Sequence, residues 1–464
     1  MRLSWHDRSP GRAASASQGL KLRRVLVAVA ATSMTATLVT STSAFGAAVS
    51  QRVANVSGDG CSSGSVNLTF WSGVTGINSA VVLFNKTHPG ICVHWLNEGP
   101  TVFAKLLDAM KTGTGAPDIT QFNYSLMYLY EQNHYLVNLA QYGANAVQGD
   151  FPSYAWDNVS YNGGVYAIPQ DSGVYALLYN ATLMKKYGLA VPTTWAQMIT
   201  EGEALQAAHP GVYINDFAPN DSVNVLSGMT QAGARDFVLN GTKLSVGFTS
   251  MAAEQYASVW DTLLSKRLVA TVPDFSTQWF NDLQNGQILT VMAQAWAPSY
   301  IGSSLDKTLG DWRVAPLPQF VAGQNIGMNG GGSPEAVTSQ TKYPKQAAEF
   351  DIWLNTSKAS LSLLDKPPSG LFPMATTVSA TGAFLNQRLP LTGSQELYRV
   401  YENSGPDPGF ASGYGPFASY AGSVAGNAMD LVAQGRETVK QMFASLQSEF
   451  VSYAKQQGFT IVGS

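Results

Sequence analysis

The chain has 464 residues, of which 45% are hydrophobic and only 12% are charged, and its formal net charge is −3. Soluble proteins average about 25% charged residues, so Ser, Thr, Asn, Gln and Gly must cover much of this surface. This charge balance argues against the strongly basic surface that binds nucleic acid. The 20 Phe, 20 Tyr and 10 Trp argue against a disordered chain, because they supply apolar surface to bury. The length fits two or three lobes, and the uncharged polar surface suits a secreted protein that meets neutral ligands.

The N-terminus, residues 1–48, is predicted to be an export signal, with 49–63 as a linker. A basic cluster at 21–24 precedes an apolar stretch, and small residues at 43–48 offer a cleavage site. The apolar stretch is too short and too rich in Thr to span a membrane, and no later stretch reaches about 18 uninterrupted apolar residues. We therefore expect a soluble, exported protein that is extracellular or associated with the cell envelope, or periplasmic in a Gram-negative host.

The two cysteines, Cys61 and Cys92, both follow the export segment, where oxidation is permitted. Strands are predicted at 66–72 and 91–96 with a helix between them, and sequential parallel strands tend to be neighbours. This placement favours a Cys61–Cys92 disulfide. The alternative is lipidation of Cys61, because "CSSGS" resembles the start of many bacterial lipoproteins, although the residues before it do not resemble a lipobox.

From residue 66 onward, short apolar runs alternate with amphipathic segments, which predicts βαβ units and a parallel sheet. Thr194 is a good N-cap for one helix, and the final helix is long and free of Pro. Further strands are predicted at 118–123, 163–169 and 174–179. Helices are predicted at 78–86, 101–112, 125–141, 195–208, 251–265, 343–355 and 428–456.

Catalytic and metal-binding sets are not evident in the sequence. The five His residues show no i,i+4 pair, so a zinc site of the usual spacing is not expected. Residues 60–64 match G-x-S-x-G, but they precede the first strand, whereas a nucleophile elbow follows one. The glycine-rich run 327–333 contains no Lys to hold a phosphate. We predict no catalytic residue, no metal and no cofactor.

Aromatic and small polar residues recur at the ends of predicted strands. In open α/β sheets, ligands bind outside the carboxyl ends of the strands. Aromatic faces there can stack on sugar rings, and amides and carboxylates can bond sugar hydroxyls. Any single aromatic residue could instead be buried core, so the prediction depends on the recurrence at Trp71–Gly73, Asn123–Tyr124, Gln170–Gly173, Trp296 and Gly330–Gly332.

Five segments carry a resemblance to a known family. The most specific one, "YNGGVYAIPQDSGVYALLYNATLMKKYGLAVPTTWAQM" at 161–198, combines a strand, a ligand turn, an inter-lobe strand and a P-x-T-W motif. The chain resembles the extracellular solute-binding proteins of sugar ABC importers, similar to maltose-binding proteins, over most of 64–456. The other matching segments are 113–142, 283–298, 312–320 and 330–354.

The resemblance implies a two-lobed α/β fold of the type II periplasmic-binding-protein kind, with the ligand cleft between the lobes and a multi-strand hinge. Lobe one would comprise 64–174 and 326–394, and lobe two 178–322 and 396–464. The hinge would lie near 174–178, 322–328 and 394–397.

The resemblance also implies a set of substrate-binding residues. Lobe one would contribute Trp71, Ser72, Asn123 and Tyr124 to the cleft, and Gln170 and Asp171 would bond sugar hydroxyls at the crossing between the lobes. Trp296 would stack on the sugar from lobe two. Backbone would approach the ligand at Gly331 and Gly332, and Tyr414 would lie near a late aromatic contact of the family. The sequence has fewer charged residues near 123–125 than the maltose-binding relatives.

The expected function is therefore binding without chemistry. The lobes would close on a neutral mono- or oligosaccharide, and a membrane permease of an ABC importer would receive it from the monomeric protein. Lys and Arg are absent from the cleft segments, which favours an uncharged solute. Two alternatives stay open. One is a secreted glycoside hydrolase that uses Asp171 with a second carboxylate roughly 5–10 Å away. The other is a binding protein for a non-sugar solute such as a metal chelate or a peptide.

Overall fold

The computed structural model describes residues 60–99, 102–240, 243–405 and 417–463, all in one unit of the chain. The predicted export signal, most of the predicted linker and Tyr414 lie outside the described residues. Within them, no helix has both the length and the apolar character needed to cross a bilayer.

The strands are short, and most of them lie in two sheets. They are β1 (Val66–Trp71), β2 (Ile91–Leu96), β3 (Ile119–Gln121), β4 (Ser160–Tyr161), β5 (Gly164–Val165), β6 (Ile168–Pro169), β7 (Tyr175–Asn180), β8 (Asn215–Asp216), β9 (Phe237–Asn240), β10 (Lys243–Val246), β11 (Val269–Ala270), β12 (Thr290–Gln294), β13 (Trp312–Ala315), β14 (Pro334–Val337) and β15 (Thr460–Ile461).

The helices cover both sheets. They are α1 (Asn78–Thr87), α2 (Val102–Thr112), α3 (Met127–Gln132), α4 (Ser153–Asp157), α5 (Ala181–Lys186), α6 (Trp195–Ala208), α7 (Ser222–Gln231), α8 (Met251–Ser265), α9 (Thr277–Gln284), α10 (Ala297–Gly302), α11 (Pro344–Thr356), α12 (Lys358–Leu364), α13 (Thr376–Ser379), α14 (Gly382–Leu385), α15 (Leu397–Glu402), α16 (Ala418–Ala433) and α17 (Val439–Gln456).

The two sheets share one topology. In the first, the order is β2-β1-β3-β14-β6, with β1, β2 and β3 parallel and β14 antiparallel to both of its neighbours. In the second sheet, β8 pairs in parallel with β11. Tyr213, two residues before β8, forms backbone hydrogen bonds that pair it in parallel with the residues just before β12. Strand β7 lies between β12 and β13 and is antiparallel to both. The predicted α/β fold with parallel pairs is therefore confirmed.

Two apolar cores cover the sheets, and the second sheet packs against both, because Leu178 of β7 and Val291 of β12 belong to the first core. Leu68 and Phe70 of β1 pack in the first core with Phe350 of α11. Leu177 of β7 belongs to the second core, together with Trp195 and Trp260. Because these side chains are buried between a sheet and its covering helices, they hold each set of strand ends in a fixed position. The lobe boundaries implied by the resemblance stay a prediction.

Several predicted elements match closely. α6 and α8 have the predicted bounds, and the Thr194 hydroxyl accepts a hydrogen bond from the Gln197 backbone N–H as the predicted N-cap. The Cys61–Cys92 disulfide is confirmed, with a Cα–Cα distance of 5.2 Å. The parallel pairing of β1 with β2 sets Cys92 opposite Asn67 and so within reach of Cys61 just upstream. The Cys61 sulfur is therefore engaged in a bridge, not in a lipid linkage.

Two predicted helices are wrong in extent. The helix predicted at 428–456 is two helices, α16 and α17. Gly435 has a φ of +68°, a conformation that ends α16, and Thr438 forms a capping box with Gln441 that starts α17. The helix predicted at 125–141 is mostly turns around the short α3, because His134 at a φ of +55° breaks the run.

Candidate functional site

The carboxyl ends of the two sheets lie on either side of one connecting segment, residues 366–370. The Ser369 hydroxyl donates to the Thr75 carbonyl at 2.7 Å, just beyond the end of β1. Gly370 lies against α10, so closely that a Cβ there would come 2.2 Å from the Cβ of Ser299. Because α10 follows the end of β12, this segment links the strand-end loops of both sheets.

A second link joins the same two groups of elements. Cα atoms of α16 come within 8 Å of the 3-10 turn Tyr124–Leu126, which follows β3. α16 packs on α7 in the second core, whereas Tyr124 belongs to the first core. The strand ends of both sheets therefore face one shared region, which is where a ligand of an open α/β fold is expected.

The chain crosses between the sheets at Asp171 and Ser333. The Asp171 Oδ1 accepts hydrogen bonds from the Ser333 N–H and hydroxyl, both at 2.7 Å. Gln170 donates to the Asn355 amide oxygen at 3.2 Å and accepts from the Ser333 hydroxyl at 3.3 Å. Single bridges pair Asp171 with Pro373 and Val174 with Asn329. The side chains of Gln170 and Asp171 are buried and fasten the crossing strands, and their predicted contact with a sugar stays a prediction.

The glycines of this crossing bring backbones together. Gly331 and Gly332 have φ values of +90° and +72°, and a Cβ on Gly332 would come 2.1 Å from the Asp171 carbonyl oxygen. A Cβ on Gly173 would come 2.6 Å from the Gly332 nitrogen. The glycines therefore permit a close approach between the backbones of two segments of this chain, at 171–173 and 331–332. The predicted approach of this backbone to a ligand stays a prediction.

Buried carboxyl groups surround the crossing. Burial raises the pKa of Asp171 from its ordinary 3.8 to about 6, against the opposing effect of the Ser333 hydrogen bonds. Burial, together with the charges of Asp351 and Asp171, raises the pKa of Glu335 well above its ordinary range. Burial raises the pKa of Asp351 in the same direction, and Asn355 donates to its Oδ1 at 3.0 Å. Burial therefore disfavours the charged form of each of these groups in the folded protein.

These raised pKa values predict greater stability in mild acid. The folded protein keeps protons that the unfolded chain releases near pH 4, so the contribution is complete below about pH 4 and is lost as the pH rises through about 6. Asp171 alone contributes about 3 kcal/mol to the free energy of unfolding that is lost over this whole pH range. We expect a melting temperature several degrees higher at pH 5 than at pH 8, measured at constant ionic strength. Glu335→Gln should reduce this difference, and a melting temperature that rises from pH 5 to pH 8 would contradict the prediction.

The predicted site residues at the carboxyl ends of the first sheet differ in how far they are buried. Trp71, the last residue of β1, is half-buried. Ser72 is buried, its hydroxyl lies 3.3 Å from Gln121 Oε1, and its carbonyl accepts from the Trp95 indole. Asn123 is half-buried, and its Oδ1 caps the following turn by accepting from the Ser125 N–H at 2.9 Å. Tyr124 is 2% exposed within the first core. Trp71 and Asn123 therefore keep the accessible surface that a ligand needs.

The second sheet presents a cluster of partly exposed aromatic rings around Trp296, two residues after β12. The Phe275 ring stacks on Trp296 with centroids 5.7 Å apart, and Tyr300 meets both rings edge to face. Phe275 and Tyr300 are 39% and 41% exposed, and the Trp296 indole donates to Gln294. A contiguous apolar patch that stays exposed to solvent often marks a ligand-binding or partner-binding site. We call these three residues the aromatic shelf.

Phe275 and Tyr300 were not predicted from the sequence. Tyr300 lies four residues after Trp296 and so shares its face of α10, a spacing that the sequence displays. Phe275 gives no such signal, because its position depends on a backbone φ of +59° in the loop after β11. A bulky residue in the left-handed region is strained, and such strain is concentrated at functional sites.

Residues 72–360 match the model of the family described as "Bacterial extracellular solute-binding protein". The match covers more than half of the chain. The protein belongs to this solute-binding family. Its two sheets, joined by crossing strands, form the type II fold of that family.

Curated relatives of this solute-binding protein include an arabinooligosaccharide-binding protein of Bacillus subtilis (strain 168), 25% identical over 198 residues, and a lactose-binding protein of Rhizobium radiobacter, 25% identical over 205 residues. These matches cover 41% and 43% of this chain. They span about half the length of the relatives, 44% and 47% respectively.

Structural matches to solved proteins of similar fold extend over nearly the whole of each solved chain. The ABC-transporter-associated binding protein of B. animalis subsp. lactis, solved with beta-1,6-galactobiose, has a TM-score of 0.77 and 24% identity, covering 86% of this chain and 99% of that one. The galacto-N-biose-/lacto-N-biose I-binding protein of Bifidobacterium longum, solved with lacto-N-biose, has a TM-score of 0.74 and 25% identity, with the same coverage of both chains.

A set of three metal-ligating side chains occurs once among the residues that the structure describes. Ligand atoms of Cys61, Cys92 and His94 lie within 4.8 Å of one another. Both sulfurs are already joined to each other, and a metal would require two free thiolates. This group in the solute-binding protein is therefore a disulfide with a neighbouring imidazole.

Proposed function

We propose that this protein is the exported substrate-binding component of an ABC importer and that it binds a mono- or oligosaccharide without altering it. The aromatic shelf carries the proposal: two exposed rings and the half-buried Trp296 cluster at the carboxyl edge of the second sheet. Such faces suit the apolar side of a sugar ring, and the half-buried Trp71 and Asn123 lie at the corresponding edge of the first sheet.

The solute would enter between the two sheets and be enclosed when the lobes rotate about the crossing at Asp171 and Ser333. A membrane permease would then recognise the closed form. Both curated relatives are named for the saccharides that they bind, which supports the choice of solute class. The segments at the crossing and the aromatic shelf contain no Lys or Arg, so we propose a solute without acidic groups.

The test is a thermal-shift screen of the mature chain against mono-, di- and trisaccharides, followed by calorimetry on each hit. Binding of at least one saccharide should raise the melting temperature in proportion to the logarithm of its concentration above Kd. The sugar recovered after prolonged incubation should be chemically unchanged. Absence of any shift across the screen would contradict sugar binding, and release of a smaller sugar would favour a hydrolase.

A further inference from the structure

A small cavity behind the aromatic shelf is lined by three carboxyl groups. They belong to Asp216 at the end of β8, Asp221 at the start of α7 and Asp274 in the loop after β11. Asp274 directly precedes Phe275 of the shelf, and Asp216 accepts from the Trp279 indole at 2.6 Å. Because β8 and β11 are parallel, their carboxyl ends bring the cavity to the ligand-facing edge of the second sheet.

No basic side chain balances these carboxyl groups. Among the described residues that line the cavity, none is Lys, Arg or His. Burial and the neighbouring charges of Asp216 and Asp221 raise the pKa of Asp274 well above its ordinary value, and burial raises the pKa of Asp216 to about 6. Negative charge is therefore disfavoured in the cavity unless a positive group enters.

Two further polar groups in the cavity wall point to a missing occupant. Tyr256 and Trp260 of α8 line the cavity and are only 1% and 2% exposed. The Tyr256 hydroxyl and the Trp260 indole N–H are buried without a hydrogen-bond partner, as is Oδ1 of Asp274. Buried polar atoms normally have partners: the Asp274 oxygen and the Tyr256 hydroxyl can accept from a donor such as an ammonium group, whereas the Trp260 N–H is itself a donor and needs an acceptor such as a ligand hydroxyl.

The absence of a side chain at Gly228 makes room for the Tyr256 ring in the cavity wall. Gly228 of α7 faces Tyr256, and a Cβ there would come 2.4 Å from the tyrosine ring. The free space is about 250 Å³ including its open side, and the enclosed part admits a group about as large as water or ammonium. The three carboxyl groups do not form a metal-ligand set, since no three of their oxygens from different residues all lie within 4.8 Å of one another.

We infer that this cavity holds the ammonium group of an amino-bearing saccharide whose ring lies on the aromatic shelf. The ammonium would donate hydrogen bonds to Asp216 and Asp274, and the Tyr256 hydroxyl would accept from it or donate to a carboxylate. This inference rests on the proposed function. It also departs from the neutral solute expected from the sequence, because the carboxyl groups concerned lie outside the segments that the resemblance identified.

The experiment compares matched sugars by calorimetry at pH 7. The probes are D-galactosamine with D-galactose, D-glucosamine with D-glucose, the disaccharides of glucosamine and of glucose, and the N-acetylated forms of the amino sugars. We expect one amino sugar to bind at least about tenfold more tightly than its hydroxyl partner, and N-acetylation to remove that advantage because it removes the charge.

Variants test whether the cavity provides the selectivity. Asp274→Asn should bring the ratio of amine to hydroxyl affinity to within about twofold of one, whereas Asp157→Asn, the same substitution at an exposed site on α4, should leave the ratio unchanged. If Asp274→Asn does not fold, Tyr256→Phe gives a second measurement, and methylammonium chloride against sodium chloride at equal ionic strength gives a third. Methylammonium should raise the melting temperature of the unmodified chain.

The outcomes separate the two proposals. Equal affinity for amino and hydroxyl sugars, with no effect of methylammonium, would overturn the ammonium site and leave sugar binding intact. The cavity would then hold an ordered water. A melting-temperature rise with Ca²⁺ and no preference for amines would also overturn it. Binding of no saccharide in either series would overturn the proposed function and this inference together.

Discussion

Trp296→Ala is expected to weaken saccharide binding by roughly 30-fold or more while the protein stays folded. The indole lies two residues after the end of β12, is half-buried and is stacked on Phe275, so part of its surface stays accessible for a sugar ring. Truncating a central aromatic anchor commonly costs about 2 kcal/mol or more of binding free energy, and each 1.4 kcal/mol is about tenfold in affinity. Calorimetry with the best sugar from the screen measures the change.

Matched variants separate stacking from general loss of aromatic surface. Trp296→Phe keeps a ring face and should lose only about fivefold in affinity. Tyr300→Ala removes an edge of the aromatic shelf and should weaken binding, whereas Tyr343→Ala should have no effect. The last two residues are both 41% exposed, but Tyr343 lies before α11, away from the second sheet. Full affinity in Trp296→Ala would show that the shelf does not contact the solute.

The sequence identifies the strand ends but not how each one is used. Residues at the ends of β1 and β12 could be predicted because the alternating run of β1 and the continuous apolar run of β12 reveal where these strands stop. Tyr124 lies at such an end and is nevertheless core, because the turn after β3 directs it inward. Whether a strand-end aromatic residue faces solvent or core depends on the helices packed above it, and a linear pattern does not contain that information.

Long-range pairs explain the other differences between prediction and structure. Ser333, 162 residues from Asp171 in the chain, supplies two of the hydrogen bonds to its carboxylate. The cavity behind the aromatic shelf likewise gathers side chains from β8, α7, α8 and the loop after β11. Each member alone resembles an ordinary surface or core residue. Only the closure of the second sheet brings the carboxyl groups together, so no motif of fixed spacing could reveal them.

Gly332→Ala is expected to destabilise the protein by about 2–5 kcal/mol and to lower saccharide affinity. Two costs add at this position. A non-glycine residue in the left-handed region, here at a φ of +72°, costs about 1–2 kcal/mol. The new Cβ would also come 2.1 Å from the Asp171 carbonyl oxygen, and relieving such overpacking costs about 1–3 kcal/mol. Denaturant unfolding with a constant m-value measures the sum.

Gly323→Ala separates the two costs. Gly323 has a φ of +83°, and a Cβ there would meet nothing within 4 Å, so this variant should lose only the first contribution, about 1 kcal/mol. The excess loss in Gly332→Ala then reports the contact between the two crossing segments. Since those segments join the sheets, pushing them apart should also shift the relative position of Trp71 and Trp296 and weaken sugar binding. Equal destabilisation by both substitutions would mean that the crossing strands are free to separate and do not fix the hinge.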